Sequence, residues 1–473
     1  MCGCVLSTRH KFKSRLCIKG CAQKYGIDYE DTFAPVIRFS GIRLLLAIEV
    51  DNGTELHHVD IKTAYLNGEI DEEINVHQPE GFVMNGKENL VCKLNRAIYG
   101  LKQAARQWNT KLDEVLTSMN LTQTPSEPCI YKHNTIHNLM VGVYVDDLIV
   151  IGLKGDITNF KSKLAKQLKI TDKGPLKFCL NMQVDWSKNR KQVKISQQKF
   201  ISKLLEKHGM EDCKAKKTPI ATGTILEKAE QEEIIKEIFG YQSLVGSFLY
   251  LSNCSRPDIA FAVSKLCQHI SAPSNQHVMV AKRVLRYLKV TITQGLAYQP
   301  GGLECNVFAD ADFGGDSNDS KSTSGVMIFV GPNLIEWQSV KQSLVALSTC
   351  EAEISAIVEG TRNTIYMKGL LDDLQINCNI GPFIIWNDNQ SARETVNQGG
   401  KFKRNKHYVR RFAFLKDYVK RKKIKIDYCQ TERMPADILT KPLTAACHEK
   451  LKHICGMTNE DCKGLLDVRT SAK

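Results

Sequence analysis

Two adjacent aspartates, Asp146-Asp147, sit between two apolar, β-rich runs, Leu139 to Tyr144 and Leu148 to Ile151. Strands disfavour Asp. Two like charges at a hairpin tip also repel one another unless a cation neutralises them. The spacing predicts a hairpin whose tight connection is Val145-Asp146-Asp147. Taken alone, the pair reads by default as a solvated turn. A third acid alters that balance. Asp60 ends a predicted strand, Glu55 to Val59, just before Ile61-Lys62-Thr63-Ala64-Tyr65-Leu66. A lone Asp in that place reads as a helix N-cap. With Asp146 and Asp147 it makes a set of hard oxygen donors, of the kind that holds two divalent ions about 3.5–4 Å apart for nucleotidyl transfer.

The chain around this feature is large and basic. Its 473 residues exceed one ordinary core, and 42% of them are hydrophobic, which excludes a disordered tail. A formal net charge of +14 suggests a polyanionic partner, although a merely basic soluble protein gives the same figure. The 17 cysteines are odd in number and scattered, as expected of reduced thiols in an intracellular protein. The nearest approach to a metal cluster, Cys2, Cys4, His10, Cys17 and Cys21, fits no standard zinc spacing. No run of 18 apolar residues exists to span a membrane, and no signal peptide is visible.

Periodicity predicts helices at Ile42 to Val50 and Arg106 to Met119, then a helix-rich stretch from about Lys154 to Gln299. Within that stretch Phe200 to His208, Ala260 to Ile270 and Val278 to Leu288 are amphipathic, and Thr222 to Gln231 reads as a loop. Gln299-Pro300-Gly301-Gly302 is the strongest linker signal. A second α/β unit follows. Its strands are Cys305 to Ala309, Gly325 to Val330 and Phe383 to Trp386, with a helix at Glu351 to Thr361. The last thirty or so residues have a weak pattern and are expected to be partly disordered.

This second unit has acids of its own. Asp310 and Asp388 end strands, Glu353 enters a helix, and Asp437 lies in Met434-Pro435-Ala436-Asp437. Four carboxylates from separate elements could gather two magnesium ions and activate water against a phosphodiester. Singly, each reads as a cap or a surface charge, and Glu353 as a first-turn Glu favoured by the helix dipole. Asp312 and Glu351 rank second. The run Lys401 to Lys425 holds twelve Lys or Arg against one acid, Asp417, with aromatics interleaved. It reads as an amphipathic helix with a solvated basic face, or as a surface that tracks the phosphates of an RNA–DNA hybrid.

Several segments carry a resemblance to the reverse transcriptases of copia-type retrotransposons. Val59-Asp60-Ile61-Lys62-Thr63-Ala64-Tyr65-Leu66-Asn67-Gly68 looks like the family's first catalytic motif. Tyr99-Gly100-Leu101-Lys102-Gln103-Ala104-Ala105-Arg106-Gln107-Trp108 is similar to its second signature, and Tyr144-Val145-Asp146-Asp147 to the polymerase signature. Asp31-Thr32-Phe33-Ala34-Pro35-Val36, Arg256-Pro257-Asp258-Ile259-Ala260 and the helix through Ala281 to Tyr287 also match. The acids of the second unit resemble, in order and local sequence, the ribonuclease H domain that follows in this family.

The resemblance implies a right-hand polymerase of fingers, palm and thumb followed by a ribonuclease H-like α/β domain, that is, an α/β and α+β multidomain chain. Its expected divisions are fingers and palm over 1–195, a helix-rich thumb or connection over 196–300, the nuclease over 301–445 and a tail over 446–473. By the same resemblance Asp60, Asp146 and Asp147, and separately Asp310, Glu353, Asp388 and Asp437, would hold Mg2+, or Mn2+. Tyr65 would sit under the sugar of the incoming nucleotide, its plain alternative being a core tyrosine. Lys102 and Gln103 would lie near that nucleotide, and Arg15 and Lys19 near its phosphates, against the plain reading of surface side chains. Lys282, Arg283, Arg286, Lys403, Arg404, Lys406, Arg410 and Arg411 would contact nucleic acid. His407 would join them and assist product or proton handling, unless it is simply structural.

The implied partners are an RNA template, a DNA primer, an RNA–DNA hybrid, deoxynucleoside triphosphates and other retroelement proteins, with no membrane. The implied sites are cytoplasmic virus-like particles or the nucleus, not secretion. Departures from the family pattern are also visible. Met1 to His10 resembles nothing in it, and finger sequence before Arg15-Leu16 and the gag, protease and integrase parts are missing, as in an N-terminally truncated copy. Asn181, Val290 and Val409 replace residues usual in the family, and a lost glycine costs most where φ is positive. Two rivals therefore stand beside the polymerase–nuclease reading: an inert remnant that only binds nucleic acid, and ribonuclease H activity alone.

Overall fold

The computed structural model describes residues 3–5, 13–376, 381–398 and 406–459. The chain forms two compact units, Met1–Arg38 with Thr54–Leu176, and Phe39–Gly53 with Lys177–Lys473. The helix Phe39–Asn52 (α1) therefore belongs to the second unit, although its sequence interrupts the first. It is apolar on every side, and every residue from Ser40 to Val50 is buried. Its one buried cation is satisfied. The Arg43 guanidinium donates to the carbonyls of Ile335 (2.6 Å), Asn253 (2.7 Å) and Cys254 (2.9 Å), and lies 4.0 Å over the Trp337 ring.

In the first unit the elements run β1 (Glu55–Ile61), α2 (Ala104–Ser118), β2 (Leu121–Gln123), β3 (Ile130–His133), β4 (Met140–Tyr144), β5 (Asp147–Gly152), α3 (Lys154–Gln167) and β6 (Ile170–Pro175). These six strands form one antiparallel sheet in the order β6-β1-β5-β4-β3-β2, and two separate two-stranded pairs, Gly3–Val5 with Lys13–Arg15 and Asn75–His77 with Val91–Lys93, lie outside it. The predicted hairpin is present but tighter than expected. Tyr144 pairs with Asp147, so only Val145-Asp146 makes the turn and Asp147 is already strand. Gly100 explains one motif glycine. Its φ is +96°, and a Cβ there would meet the Ile18 carbonyl oxygen at 2.1 Å.

The stretch after Lys154 is less helical than its sequence suggests. Beyond β6 it contains β7 (Phe178–Cys179), β8 (Met182–Trp186) and β9 (Val193–Ser196). Runs this short, with Gln183, Asp185 and Lys194 interleaved, give too few repeats for a period of two to register. Leu180 and Asn181 form the turn of the β7–β8 hairpin at φ +47° and +54°, so Asn181 does stand where a glycine would be free of strain. Val290, in contrast, ends a helix in ordinary helical backbone.

In the second unit α4 (Gln198–Lys207), α5 (Ile238–Cys254), α6 (Ala260–Cys267) and α7 (Asn275–Val290) share one apolar core around Leu205, Phe248, Leu266 and Leu285. Arg256 and Asp258 form a buried bidentate pair (2.9 and 2.8 Å), to which Tyr287 adds its hydroxyl. The match at Arg256-Pro257-Asp258 is thus a structural clamp among these helices.

The Gln299 to Gly302 segment is a fixed turn, not a loose linker. It follows β10 (Gly295–Tyr298), which pairs with β9. Gln299 N–H donates to Asn333 Oδ1, and the Gly302 N–H donates to Asp51 Oδ1 at 2.9 Å. Next come β11 (Cys305–Ala311), β12 (Thr323–Val330), β13 (Asn333–Lys341), α8 (Thr349–Asp373), β14 (Phe383–Asn387), α9 (Gln390–Gln398), α10 (Lys406–Lys420) and β15 (Ile424–Tyr428). Their sheet runs β13-β12-β11-β14-β15, antiparallel through β11 and parallel from β11 to β15. The weak pattern at the end of the chain hides α11 (Ala445–Ile454) and β16 (Met457–Thr458), which pairs with β10. Lys452 and Gln294 anchor it with a buried 2.9 Å hydrogen bond.

Two candidate carboxylate centres

The first centre lies at one end of β1 and β5. Asp60 pairs directly with Asp147, and Asp146 occupies the adjoining turn, so three carboxylates come from two neighbouring strands. The turn is strained and pinned. Val145 holds φ +55°, uncommon for a β-branched residue and costly by about 1–3 kcal/mol. Its carbonyl accepts from Trp108 Nε1 on α2 (2.7 Å), and the Asp146 carbonyl accepts from the Ile61 N–H (2.8 Å). Two residues absent from the sequence reading complete the centre. His58, one alternation before Asp60 on the same face of β1, hydrogen-bonds Asp147. Lys173 Nζ lies 2.9 Å from Asp60 Oδ1 and 3.6 Å from Asp147 Oδ1.

Lys173 reaches there because it is the extra residue of a bulge. Asp172 pairs with Val59 and Gly174 with His58, leaving Lys173 unpaired between them. Asp172 locks the bulge by accepting from Lys161 Nζ (2.6 Å) and the Gly174 N–H (2.8 Å). Electrostatically the two adjacent acids diverge. Burial, reinforced by Asp147 and Asp60, holds the Asp146 carboxyl above its ordinary range. Burial also acts upward on Asp147, but the His58 hydrogen bond and the charges of His58 and Lys173 overcome it and lower the carboxyl. An all-oxygen donor set with an ammonium already against it suits a hard divalent cation. Tyr65 lies half-buried against Tyr99, ring centroids 4.7 Å apart, and burial, Tyr99 and then Asp146 raise its phenol.

The second centre is more enclosed. Asp310 on β11 is 1% exposed, Glu353 sits on α8, Asp388 follows β14, and Asp437 lies in the 3₁₀ turn Pro435–Leu439. Ligand oxygens of Asp310, Asp388 and Asp437 come within 4.8 Å of one another, the one such group among the described residues. Gly325, opposite Asp310 on β12, permits this approach. A Cβ there would meet the Ala436 carbonyl oxygen at 2.8 Å and Leu439 Cβ at 2.9 Å. The carboxylates are individually oriented. Asn387 Nδ2 donates to Glu353 Oε2 (2.8 Å) and to the Ala309 carbonyl (2.8 Å). Thr440 donates to Asp310 Oδ2 (2.5 Å) and Thr431 to Asp388 Oδ2 (2.9 Å). Lys441 Nζ lies 2.9 Å from Asp437 Oδ1.

Burial, with Asp310 as the nearest like charge, raises Glu353 well above its ordinary value, raises Asp388, and pushes Asp437 up to about 7. Burial and mutual repulsion thus disfavour the charged forms of Glu353, Asp388 and Asp437, a cost that a bound cation would offset. The donor chemistry again fits a hard divalent ion. Glu351 and Asp312 are each held by a backbone N–H. Glu351 Oε2 accepts from the Leu347 N–H at the helix start (2.9 Å), and Asp312, raised by burial to about 6, accepts from the Thr323 N–H.

Comparison with known proteins identifies the lineage. A family model described as reverse transcriptase (RNA-dependent DNA polymerase) matches residues 6–222. The retrovirus-related Pol polyprotein from transposon TNT 1-94 of Nicotiana tabacum is 34% identical over 455 residues, covering 94% of this chain and 34% of that protein. The putative transposon Ty5-1 protein of Saccharomyces cerevisiae is 32% identical over 299 residues, 62% of this chain and 96% of that one. The chain belongs to the reverse transcriptase family of retrotransposon Pol proteins. It spans about a third of the length of the Pol polyproteins that it matches. A foamy viral protease–reverse transcriptase in complex with RNA/DNA hybrid overlaps it only loosely, with TM-score 0.45 at 11% identity over 80% of this chain and 44% of that one.

Other motif residues of the family fall in varied places. Lys102 is exposed and donates to the Tyr29 hydroxyl (2.9 Å), lying 4.5 Å over that ring. Gln103 is fully buried. Its amide donates to the Asp28 carbonyl and Glu72 Oε2 and accepts from Gln23, so it ties loops together. Lys19 is exposed. On α7, Lys282 is exposed, while Arg283 is partly buried and donates to Thr218 Oγ1 (2.9 Å) beside Arg286. On α10, Arg410 is exposed and Arg411 donates to Ser355 Oγ (2.8 Å). Lys403 and Arg404, and the side chains of Arg15, Lys406 and His407, lie outside the described residues. Among the described residues, no helix is long and apolar enough to cross a membrane.

Proposed function

We propose that the chain is the polymerase and nuclease part of a retrotransposon Pol protein. It extends a DNA primer with deoxynucleoside triphosphates on an RNA or DNA template, and it hydrolyses the RNA strand of RNA–DNA hybrids. The observation that carries the polymerase reading is the pairing of Asp60 with Asp147 beside the pinned Val145-Asp146 turn. In this reading Asp60, Asp146 and Asp147 would hold Mg2+, or Mn2+, which would supply charge stabilisation for the nucleotidyl transfer. His58 keeps Asp147 ionised and oriented, and Tyr65 underlies the incoming sugar. In the second unit Asp310, Glu353, Asp388 and Asp437 take the corresponding part, with Asn387, Thr431 and Thr440 fixing the carboxylate directions. The basic faces of α7 and α10 follow the phosphates of template, primer and hybrid. The domain divisions follow the same reading, with fingers and palm, thumb, and nuclease along the chain.

Primer extension on an RNA template with Mg2+ tests the first half, comparing the wild type with Asp146→Asn. Cleavage of an RNA–DNA hybrid, comparing the wild type with Asp388→Asn, tests the second. Synthesis by neither protein would sink the polymerase claim, and equal cleavage by both would sink the nuclease claim.

A further inference from the structure

The segment around Asp437 contains a charged residue with no part in the chemistry above. Lys441 lies four residues beyond Asp437, just past the 3₁₀ turn, with its ammonium 2.9 Å from Asp437 Oδ1 and Asp310 and Asp388 as its other charged neighbours. Its neighbour Thr440 is wholly buried and bonded to Asp310 and to the Asp437 carbonyl, so the backbone that carries Lys441 is fixed. The Lys441 side chain is different. It is 39% exposed, against 7% for Asp437.

One ammonium is a poor match for this environment. Four acids meet here, and a single positive charge touches one carboxylate closely. A divalent cation carries twice the charge and coordinates several oxygens together. The two therefore contend for the same oxygen, and the tethered one is always present at high local concentration. We propose that Lys441 is a tethered counter-ion of the nuclease centre, which docks on Asp437 when no divalent cation is bound there and competes with that cation for the carboxylate. The inference rests on the nuclease reading of the four acids.

The test is calorimetric titration of Mn2+ into the full-length chain, with Asp146→Asn and Asp147→Asn present throughout to silence the other centre. Lys441→Met and Lys441→Gln are compared with Lys441 itself, and Lys441→Arg serves as the charge-retaining control. Removal of the ammonium is expected to tighten Mn2+ binding about three- to fivefold, the scale of a half-exposed ion pair. The same two variants are expected to melt below the parent when metal-free and to recover that loss when Mn2+ is added. Lys441→Arg should stay near the parent. Unchanged or weakened Mn2+ affinity in both neutral variants would overturn the proposal while leaving the metal centre intact. No Mn2+ binding by parent and variants alike would overturn the nuclease reading itself.

Discussion

The two carboxylate centres reach a similar inventory of acids by opposite routes. The first uses a strained turn at the end of a sheet. Its acids are half-buried, and Asp147 has His58 hydrogen-bonded to it and the Lys173 ammonium 3.6 Å away, so that it is lowered although it is partly desolvated. The second brings Asp310, Asp388 and Asp437 within 4.8 Å of one another in an enclosed place with Glu353 beside them, and there burial and mutual repulsion move Glu353, Asp388 and Asp437 upward. The difference is one of where the cost is held. In the first centre much of it sits in backbone strain at Val145, and in the second it sits in the mutual repulsion of buried acids, which Lys441 offsets closely only at Asp437.

This contrast can be broken at its strongest point by separate removal of one acid from each centre. Asp146→Asn should reduce primer extension by at least ~10²-fold and leave hybrid cleavage near wild type, and Asp388→Asn should do the reverse. A variant that loses both activities would show that the centres are not independent. A smaller effect is expected from the groups that orient the acids. Asn387→Leu or Thr440→Val should weaken Mg2+-dependent cleavage by roughly 10–100-fold, with little change in primer extension. Gly325→Ala should then cost about 1–3 kcal/mol of stability by pressing on the Ala436 to Leu439 turn, measured by denaturant unfolding with a parallel cleavage assay.

The gentlest test is pH. Asp437 is raised from 3.8 to about 7, so its ionisation opposes folding, and the metal-free chain should lose stability as pH rises through that value. Thermal melting between about pH 5 and pH 8, with and without Mg2+, should show the fall without metal and its reversal with metal at the higher pH. A melting temperature that rises with pH in the metal-free protein would contradict the electrostatic account of the second centre.

Much of this was legible in the sequence, and the exceptions share a cause. The strands that carry Asp60 and Asp310 near their ends, and the hairpin at Asp146-Asp147, follow from short apolar runs bounded by acids. Helix α1 follows from its continuous apolar face. His58 was within reach, since alternation along β1 puts it on the face of Asp60. Lys173 was not, because a bulge is a property of the pairing between β6 and β1 and leaves no local mark. The loop contacts of Gln103 were hidden for a similar reason, since they depend on residues 23 to 28 being folded onto it. The strands β7 to β9 and the return of β16 to β10 were hidden because each is too short to show a period.

Helix α1 makes one further point about heredity. Because its fourteen residues are encoded inside the first unit but folded into the second, the chain passes between units three times, at about residues 38, 53 and 176. A recombination joint placed near Leu176 would look clean on a gene map. It would still pair an incoming second unit with a resident α1, and Arg43 would have to find the carbonyls of Asn253, Cys254 and Ile335 on a stranger's backbone. Elements that exchange this half successfully are expected to exchange α1 with it, or to resemble one another there more than elsewhere.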